Sequence, residues 1–373
     1  MDEAGRTAHD VLLVGAGPAG LAAAVHFRQA GLDVLHIEEG ELAQTIRRFP
    51  SGVRLFSTRA DLALPGLPFG PDEDSSPTRE EYLAYLEESA AAAGLAVETG
   101  TTAVAAEARG DGYTVELDSA HGARDGHGAA SAHGARDGHG AASAPATRRT
   151  VETSSVVVAS GGYFFPNTLN IPGEDQPHVH HYFRSEIVNS GERMVVVGGR
   201  NSAVEAAVHI AEAGAEVLLV YRKSRLPRSK IKPWLLPRLD TQLRAGRIRV
   251  KYRSVPQEVS PRGVVLREAD GSSLFHPADA VFLLTGYGPD YRLLQGAGIR
   301  FHKRTARPLF SQTTLETRSP GIFLCGTVAL RVGREQATIE NSRDHALLMI
   351  DSIRARSARA AAARGSGTAM QTA

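Results

Sequence analysis

One cysteine, Cys325, and one tryptophan, Trp234, occur in 373 residues. A single thiol excludes an intramolecular disulfide, a CxxC redox pair and any cysteine-rich zinc site. An excess of one charge is also missing: 42 Lys and Arg face 41 Asp and Glu, a net +1, so no global field draws the chain to nucleic acid or to an anionic membrane surface. Long apolar runs are absent too. The charge-free stretch 11–25 imitates a signal peptide, but Asp2, Glu3 and Asp10 precede it in place of a basic segment, and Gly15, Gly17, Pro18 and Gly20 interrupt it. No run reaches the roughly 18 apolar residues that a membrane-spanning helix requires. What is left is a cytoplasmic protein, with neither nucleic acid nor membrane as partner, whose function resides in a site.

The length suffices for about two or three domains of roughly 150 residues each. Short continuous apolar runs at 11–14, 156–159, 195–197, 217–220 and 281–284 have the pattern of strands buried on both faces, and so of parallel sheets. Helical stretches lie between them: 18–30 stops at Gly31 and 202–213 at Gly214, each with glycine in its usual C-terminal place. A third helix begins at Thr78, where Glu81 stands at capping-box spacing, and runs to Gly94. Twelve residues, AHGARDGHGAAS, occur at 120–131 and again at 132–143. Between strand-like 113–117 and 149–153 this repeat reads as a mobile, solvated hairpin insertion. His121, His127, His133 and His139 lie in it, but a glycine-rich loop does not preorganise metal ligands, so no metal is expected. The alanine-rich tail 354–373 reads as frayed.

After the first strand comes Gly15-Ala-Gly17-Pro18-Ala19-Gly20, a GxGxxG turn that permits a tight bend, close backbone approach to a pyrophosphate and tight helix packing. The helix N-terminus then faces the phosphates. The second strand ends at Glu38, whose carboxylate can take the ribose hydroxyls. A second copy, Gly198-Gly199-Arg200-Asn201-Ser202-Ala203, again lies between an apolar strand and an amphipathic helix. Twenty-three positions separate Gly15 from Glu38, and the same step from Gly198 reaches Tyr221, followed by Arg222 and Lys223. With the acid replaced and two cations beside it, this copy should prefer NADPH to NADH. Two folds of different ribose chemistry imply two cofactors, a resident FAD and a transient NADPH, with hydride passing from nicotinamide to flavin. Gly161 and Gly162 after one strand, Gly286 after another, and Cys325-Gly326-Thr327 after a closing strand supply further strand-to-turn links.

These residues, with Phe56-Ser57-Thr58, Pro172-Gly173-Glu174, Ile231-Lys232-Pro233-Trp234, Thr285-Gly286-Tyr287 and Ile339-Glu340-Asn341, give a chain that resembles the thioredoxin reductase-like flavoproteins, and more narrowly the YpdA-type bacillithiol disulfide reductase family. The resemblance covers nearly the whole chain outside the repeat and the tail. It implies an α/β fold of two Rossmann-like dinucleotide-binding domains, one for FAD over 1–165 and 288–353 with the insertion 120–147, the other for NADPH over 166–287. The expected flavin contacts are Gly15, Gly17, Pro18, Ala19, Gly20, Glu38 and Glu39, joined by Phe56, Thr58, Gly326 and Thr327. The expected NADPH contacts are Gly198, Gly199, Arg200, Asn201, Ser202, Tyr221, Arg222, Lys223 and Gly286. A homo-oligomer is expected. The family often carries a cysteine in the first loop, where this chain has Ala19, so the nucleophile is missing and Cys325 is the sole thiol left; its setting at the end of a buried strand reads as core.

The leading functional expectation is an FAD-dependent NADPH oxidoreductase whose acceptor, by resemblance, is a low-molecular-weight thiol disulfide of the bacillithiol disulfide kind. A flavin monooxygenase using NADPH and oxygen is the alternative, although its FxGxxxH signature is not reproduced. A non-catalytic flavin or nucleotide sensor is the second alternative. The cations of 222–238 suit either the 2′-phosphate or an anionic substrate, or form a solvated face, and His180 and His181 are candidate proton donors near the flavin or structural residues.

Overall fold

The computed structural model describes residues 8–119, 147–332 and 335–369. The chain divides into two compact units: Met1–Arg48 with Ser57–Gly162 and Pro289–Ala373, and Phe49–Phe56 with Tyr163–Gly288. The duplicated repeat and its four histidines lie outside the described residues.

In the first unit the apolar runs form the expected parallel strands. Ala8–Val14 pairs in parallel with Val34–Ile37 on one side and with Thr147–Val158 on the other. The long strand Thr147–Val158 changes neighbours along its length: residues 147–153 pair antiparallel with Gly112–Ser119, and 156–158 pair in parallel with Ile322–Leu324. That change brings Cys325, at the end of the closing strand, level with the loop after Val14. The helix Arg79–Ala92 starts with the capping box read from the sequence, Thr78 N donating to Glu81 Oε2 at 2.6 Å and Glu81 N to Thr78 Oγ1 at 3.3 Å. The tail departs from expectation. Ile350–Ala369 is one helix, pinned because Ile353, Arg356 and Ala360 are buried and Arg356 donates to Ser154 O at 3.3 Å and Asp111 O at 2.6 Å. Its alanine content favours helix, and burial of Ile353, Arg356 and Ala360 fixes its first half.

The second unit holds a five-stranded parallel sheet in the order Ile248–Tyr252, Glu216–Tyr221, Arg193–Val197, Ala280–Leu283, Val179–His180. Chain order reverses between Arg193–Val197 and Ala280–Leu283, which opens the crevice at their carboxyl ends where such sheets take ligands. An antiparallel meander, Val255–Ser260, Gly263–Arg267 and Ser273–Pro277, was not legible in the apolar runs. The boundaries also differ from expectation. Phe165–Pro166 pairs with Tyr287–Gly288, drawing 163–165 and Gly288 into this unit. Among the described residues no helix is long and apolar enough to cross a membrane, and no group of three His, Cys, Asp or Glu could hold a metal ion.

Candidate cofactor sites

In the first unit the glycine turn follows Ala8–Val14 directly, and its three glycines have different reasons to be glycine. Gly15 has φ +106°, and a Cβ on it would stand 2.6 Å from Ala159 O. A Cβ on Gly20 would overlap Gly15 O, so both glycines serve the chain itself. Gly17 has an ordinary φ of −76°, and a Cβ there meets nothing within 4 Å. The protein itself does not need a glycine at 17, and its absent side chain leaves open space against the start of the helix Pro18–Gln29. Half-buried Glu38 accepts from Ala16 N at 2.6 Å and Gly40 N at 3.1 Å, which fixes its carboxylate beside the turn, while burial pushes its carboxyl above the usual range. Exposed Glu39 lies 3.9 Å from Arg292.

The C-terminal turn closes on the same place. Cys325 lies beneath Ala19, its thiol directed at Ala19 O 3.7 Å away. Gly326 has φ +79°, and a Cβ on it would stand 2.6 Å from Ala19 Cβ. A Cβ on Gly162 would come within 2.8 Å of Thr327 O, so the turn 326–327 also abuts the end of the long strand. Cys325 is 1% exposed and burial pushes its thiol up to about 12, so it is a packed, protonated core group. Two other expected flavin contacts have protein partners of their own. Phe56 belongs to the second unit, where its ring packs on Trp234 at 4.8 Å, and the Thr58 hydroxyl is engaged as the cap of the short helix Arg59–Leu62.

Two buried histidines brace this turn and give it a pH signature. His36 donates to Gly15 O at 3.0 Å, and His345 Nδ1 accepts from Gly326 N at 3.1 Å. Burial pushes both from 6.5 down to about 4. Between those values the unfolded chain binds the protons and the folded one does not, so their contribution is complete above pH 6.5 and is lost as pH falls toward about 4. At full shift each is worth on the order of 3 kcal/mol. The melting temperature is therefore expected to fall across this window, and less steeply in His345→Gln, whose amide oxygen can still accept from Gly326 N. Identical slopes for the two proteins would remove His345 from this role.

The second unit repeats the arrangement with altered chemistry. Gly198 has φ +147°, and a Cβ on it would lie 2.5 Å from Leu284 O. A Cβ on Gly199 would overlap the Tyr221 ring. Tyr221 thus packs on the loop position equivalent to Ala16, whose N–H the Glu38 carboxylate takes in the first loop, and the substitution of acid by ring is matched by glycine under the ring. Arg200 is exposed at the N-cap of the helix Asn201–Glu212. Asn201 Oδ1 accepts from Lys232 N at 2.9 Å, and Ser202 follows, exposed, in the first turn. Gly286, with φ +106°, stands against Asn167 past the end of Ala280–Leu283.

The cation-rich segment separates into three kinds. Arg228 pairs with Asp240 at 2.7 Å and Arg238 with Glu212, so both are structural. Lys232 is buried, 3.3 Å from Glu205 and 4.2 Å from the centre of the Phe56 ring, a constellation invisible in the sequence because its members are far apart in the chain. Arg200, Arg222, Lys223, Arg225 and Lys230 are exposed and have no ion-pair partner among the described residues. His180 and His181 sit on and beside the edge strand Val179–His180, and burial lowers both.

A model of the pyridine nucleotide-disulphide oxidoreductase family matches residues 12–122 and 142–326. The chain belongs to that family. It is 31% identical over 334 residues to bacilliredoxin reductase Bdr of Bacillus subtilis, across 90% of this chain and 94% of that one. The solved structure of bacillithiol disulfide reductase Bdr (YpdA) from Bacillus cereus superposes with a TM-score of 0.82 at 28% identity, covering 94% of this chain and all of that one. Ferredoxin–NADP reductase of Ignicoccus hospitalis is 25% identical over 86% of this chain and 90% of its own length. The protein is accordingly an oxidoreductase with the thioredoxin reductase-like fold. The reductase relatives leave the monooxygenase alternative with less support, and the reading as a non-catalytic sensor gives way to an enzyme.

Proposed function

We propose that the first glycine loop holds the FAD, the second holds NADPH, and the acceptor is a low-molecular-weight thiol disulfide, bacillithiol disulfide being the candidate carried over from the Bacillus relatives. The observation that supports this most directly is the contrast between the loops: open space over Gly17 beside an acid, and a Tyr221-covered Gly199 beside unpaired cations. When bound, FAD takes a hydride from NADPH and passes two electrons onward, so that NADPH, a proton and RSSR give NADP⁺ and two RSH. Gly17 leaves the space for the pyrophosphate, the N–H groups at the start of Pro18–Gln29 face it, and Glu38 orients the ribose. Arg222 and Lys223 meet the 2′-phosphate. Gly326 and Thr327, adjoining Ala19, close the flavin end. The reading keeps the protein in the cytoplasm, and as a homo-oligomer, which its mass in solution tests.

Cys325 has no catalytic part in this scheme. With its thiol pushed up to about 12, the thiolate fraction at neutral pH is on the order of one part in 10⁵. Cys325→Ser is expected to retain FAD, to be reduced by NADPH and to turn over bacillithiol disulfide within about twofold of the unaltered protein, since no mixed disulfide is required. Loss of disulfide turnover in a folded, yellow Cys325→Ser protein would make Cys325 the nucleophile. The same burial favours a second reading, in which electrons leave without any thiol for a one-electron carrier, as the name of the ferredoxin–NADP reductase relative suggests.

A further inference from the structure

Another unpaired cation stands beside Arg222 and Lys223, brought there by the sheet and not by the sequence. Glu216–Tyr221 and Ile248–Tyr252 run in parallel with Tyr221 opposite Tyr252, so the residues that follow, Arg222 and Arg253, leave the carboxyl ends of neighbouring strands side by side. Arg253 N donates to Lys223 O at 3.1 Å and Ser254 N to Tyr221 O at 3.4 Å, which staples the two segments together beyond their last paired residues. The staple is anchored: Ser254 is buried, its hydroxyl 2.9 Å from Tyr252 O and 3.3 Å from Glu268 Oε2.

Two features set Arg253 apart from an ordinary solvated arginine. It holds φ +51°, in the left-handed region where a Cβ is strained and glycine is the residue of least cost, so the turn alone gives no reason for an arginine. Its surroundings are also of one sign. Arg222, Lys223 and Arg225 are exposed on the adjoining stretch, neither 221–225 nor 252–254 contains an acid, and Asp240 and Glu268 are committed to Arg228 and Lys251. Arg253 is itself exposed and has no ion-pair partner among the described residues. Like charges gathered at adjacent strand ends repel one another until an anion joins them.

We propose that Arg253 is a second arginine on the 2′-phosphate of NADPH, holding it from one strand end while Arg222 holds it from the next. The inference rests on the assignment of NADPH to the second unit. A phosphate monoester carries about −1.5 to −2 charge at neutral pH and several acceptor oxygens, so it can take two guanidinium groups at once, which a ribose hydroxyl cannot. The place fits as well. The ribose is expected at the end of Glu216–Tyr221, and the end of Ile248–Tyr252 is the neighbouring position in the sheet. No spacing from the second glycine loop picks Arg253 out, because the helix Leu235–Arg244 and a further strand intervene before it.

The probes are adenosine 2′,5′-bisphosphate and 5′-AMP, titrated calorimetrically into the FAD-loaded full chain, so that the readout needs neither nicotinamide nor acceptor. The unaltered protein is expected to bind the bisphosphate at least about 100-fold more tightly than 5′-AMP. Arg253→Gly should lose about tenfold in bisphosphate affinity, keep its 5′-AMP affinity within about twofold, and melt no lower than the unaltered protein, because glycine relieves the backbone. Arg253→Gln keeps the backbone strain and should show the same loss, whereas Arg253→Lys keeps the charge and should lose no more than about threefold. Bisphosphate affinity unchanged in both Arg253→Gly and Arg253→Gln, or lost equally for 5′-AMP, overturns the role of Arg253 alone; Arg222→Ala, which weakens the bisphosphate in either case, shows that the site is still being read. An unaltered protein that binds the two probes equally overturns the phosphate assignment of Tyr221, Arg222 and Lys223, and this inference with it.

Discussion

Gly17→Leu is expected to yield a folded but colourless protein, with bound FAD falling below about a tenth of a mole per mole of chain. Each glycine of the first loop can be assigned to the chain or to a ligand by what a side chain would strike. At Gly15 and Gly20 it strikes backbone, so substitution there damages the loop and its packing on Ala159. At Gly17 it strikes nothing, and the backbone conformation suits any residue. A leucine would therefore be tolerated by the empty protein and fill the space the pyrophosphate needs, which also denies that group the N–H donors of the helix start. FAD released on denaturation measures the loss, and circular dichroism with a melting curve confirms the fold. Gly20→Ala is the contrast, expected to melt lower whether or not FAD is added. A yellow, fully loaded Gly17→Leu protein would displace the pyrophosphate from this loop and the flavin assignment with it.

How much of this was legible in the sequence depended on how local each signal was. The parallel strands announced themselves because a strand buried on both faces, such as Val195–Val197, must be apolar throughout. The two loops were legible because glycine at 15, 20 and 198 is a steric requirement written at fixed spacing. The meander 255–277 was not, because Pro256 and Pro277 punctuate it and its exposed strand Ser273–Pro277 buries little. Phe56 packs on Trp234 and Lys232, partners nearly 180 residues away that its neighbours in sequence do not announce. The tail helix was missed because alanine and glycine-serine signals compete locally, and burial of Arg356 against Asp111 and Ser154 decides the outcome. For the tail, a long-range contact outweighed the local pattern.

Reduction of the flavin is expected to favour NADPH over NADH by at least about 100-fold in kcat/KM, and Arg222→Ala to remove most of that preference. In the first loop the half-buried Glu38 carboxylate, held by Ala16 N and Gly40 N, is suited to hydroxyls and would repel a phosphate. In the second loop the Tyr221 ring on Gly199 occupies the corresponding place, and Arg222 and Lys223 follow it, exposed and without an ion-pair partner among the described residues. An Arg contact to a 2′-phosphate is charge-assisted and worth roughly 1.5 to 3 kcal/mol, which at 1.4 kcal/mol per tenfold corresponds to a loss of roughly 10- to 150-fold. That loss should fall on NADPH and leave NADH nearly unchanged, since NADH presents no phosphate there. Arg228→Ala serves as the control, because Arg228 is already committed to Asp240 and its removal should leave the preference intact. Stopped-flow bleaching of the flavin with each nucleotide reads the effect before any acceptor is involved. Equal rates for the two nucleotides in the unaltered protein would withdraw the phosphate from Tyr221, Arg222 and Lys223. If Arg222→Ala instead weakens both nucleotides alike, its contact is with the pyrophosphate that they share, and the preference must come from Lys223 or Arg200.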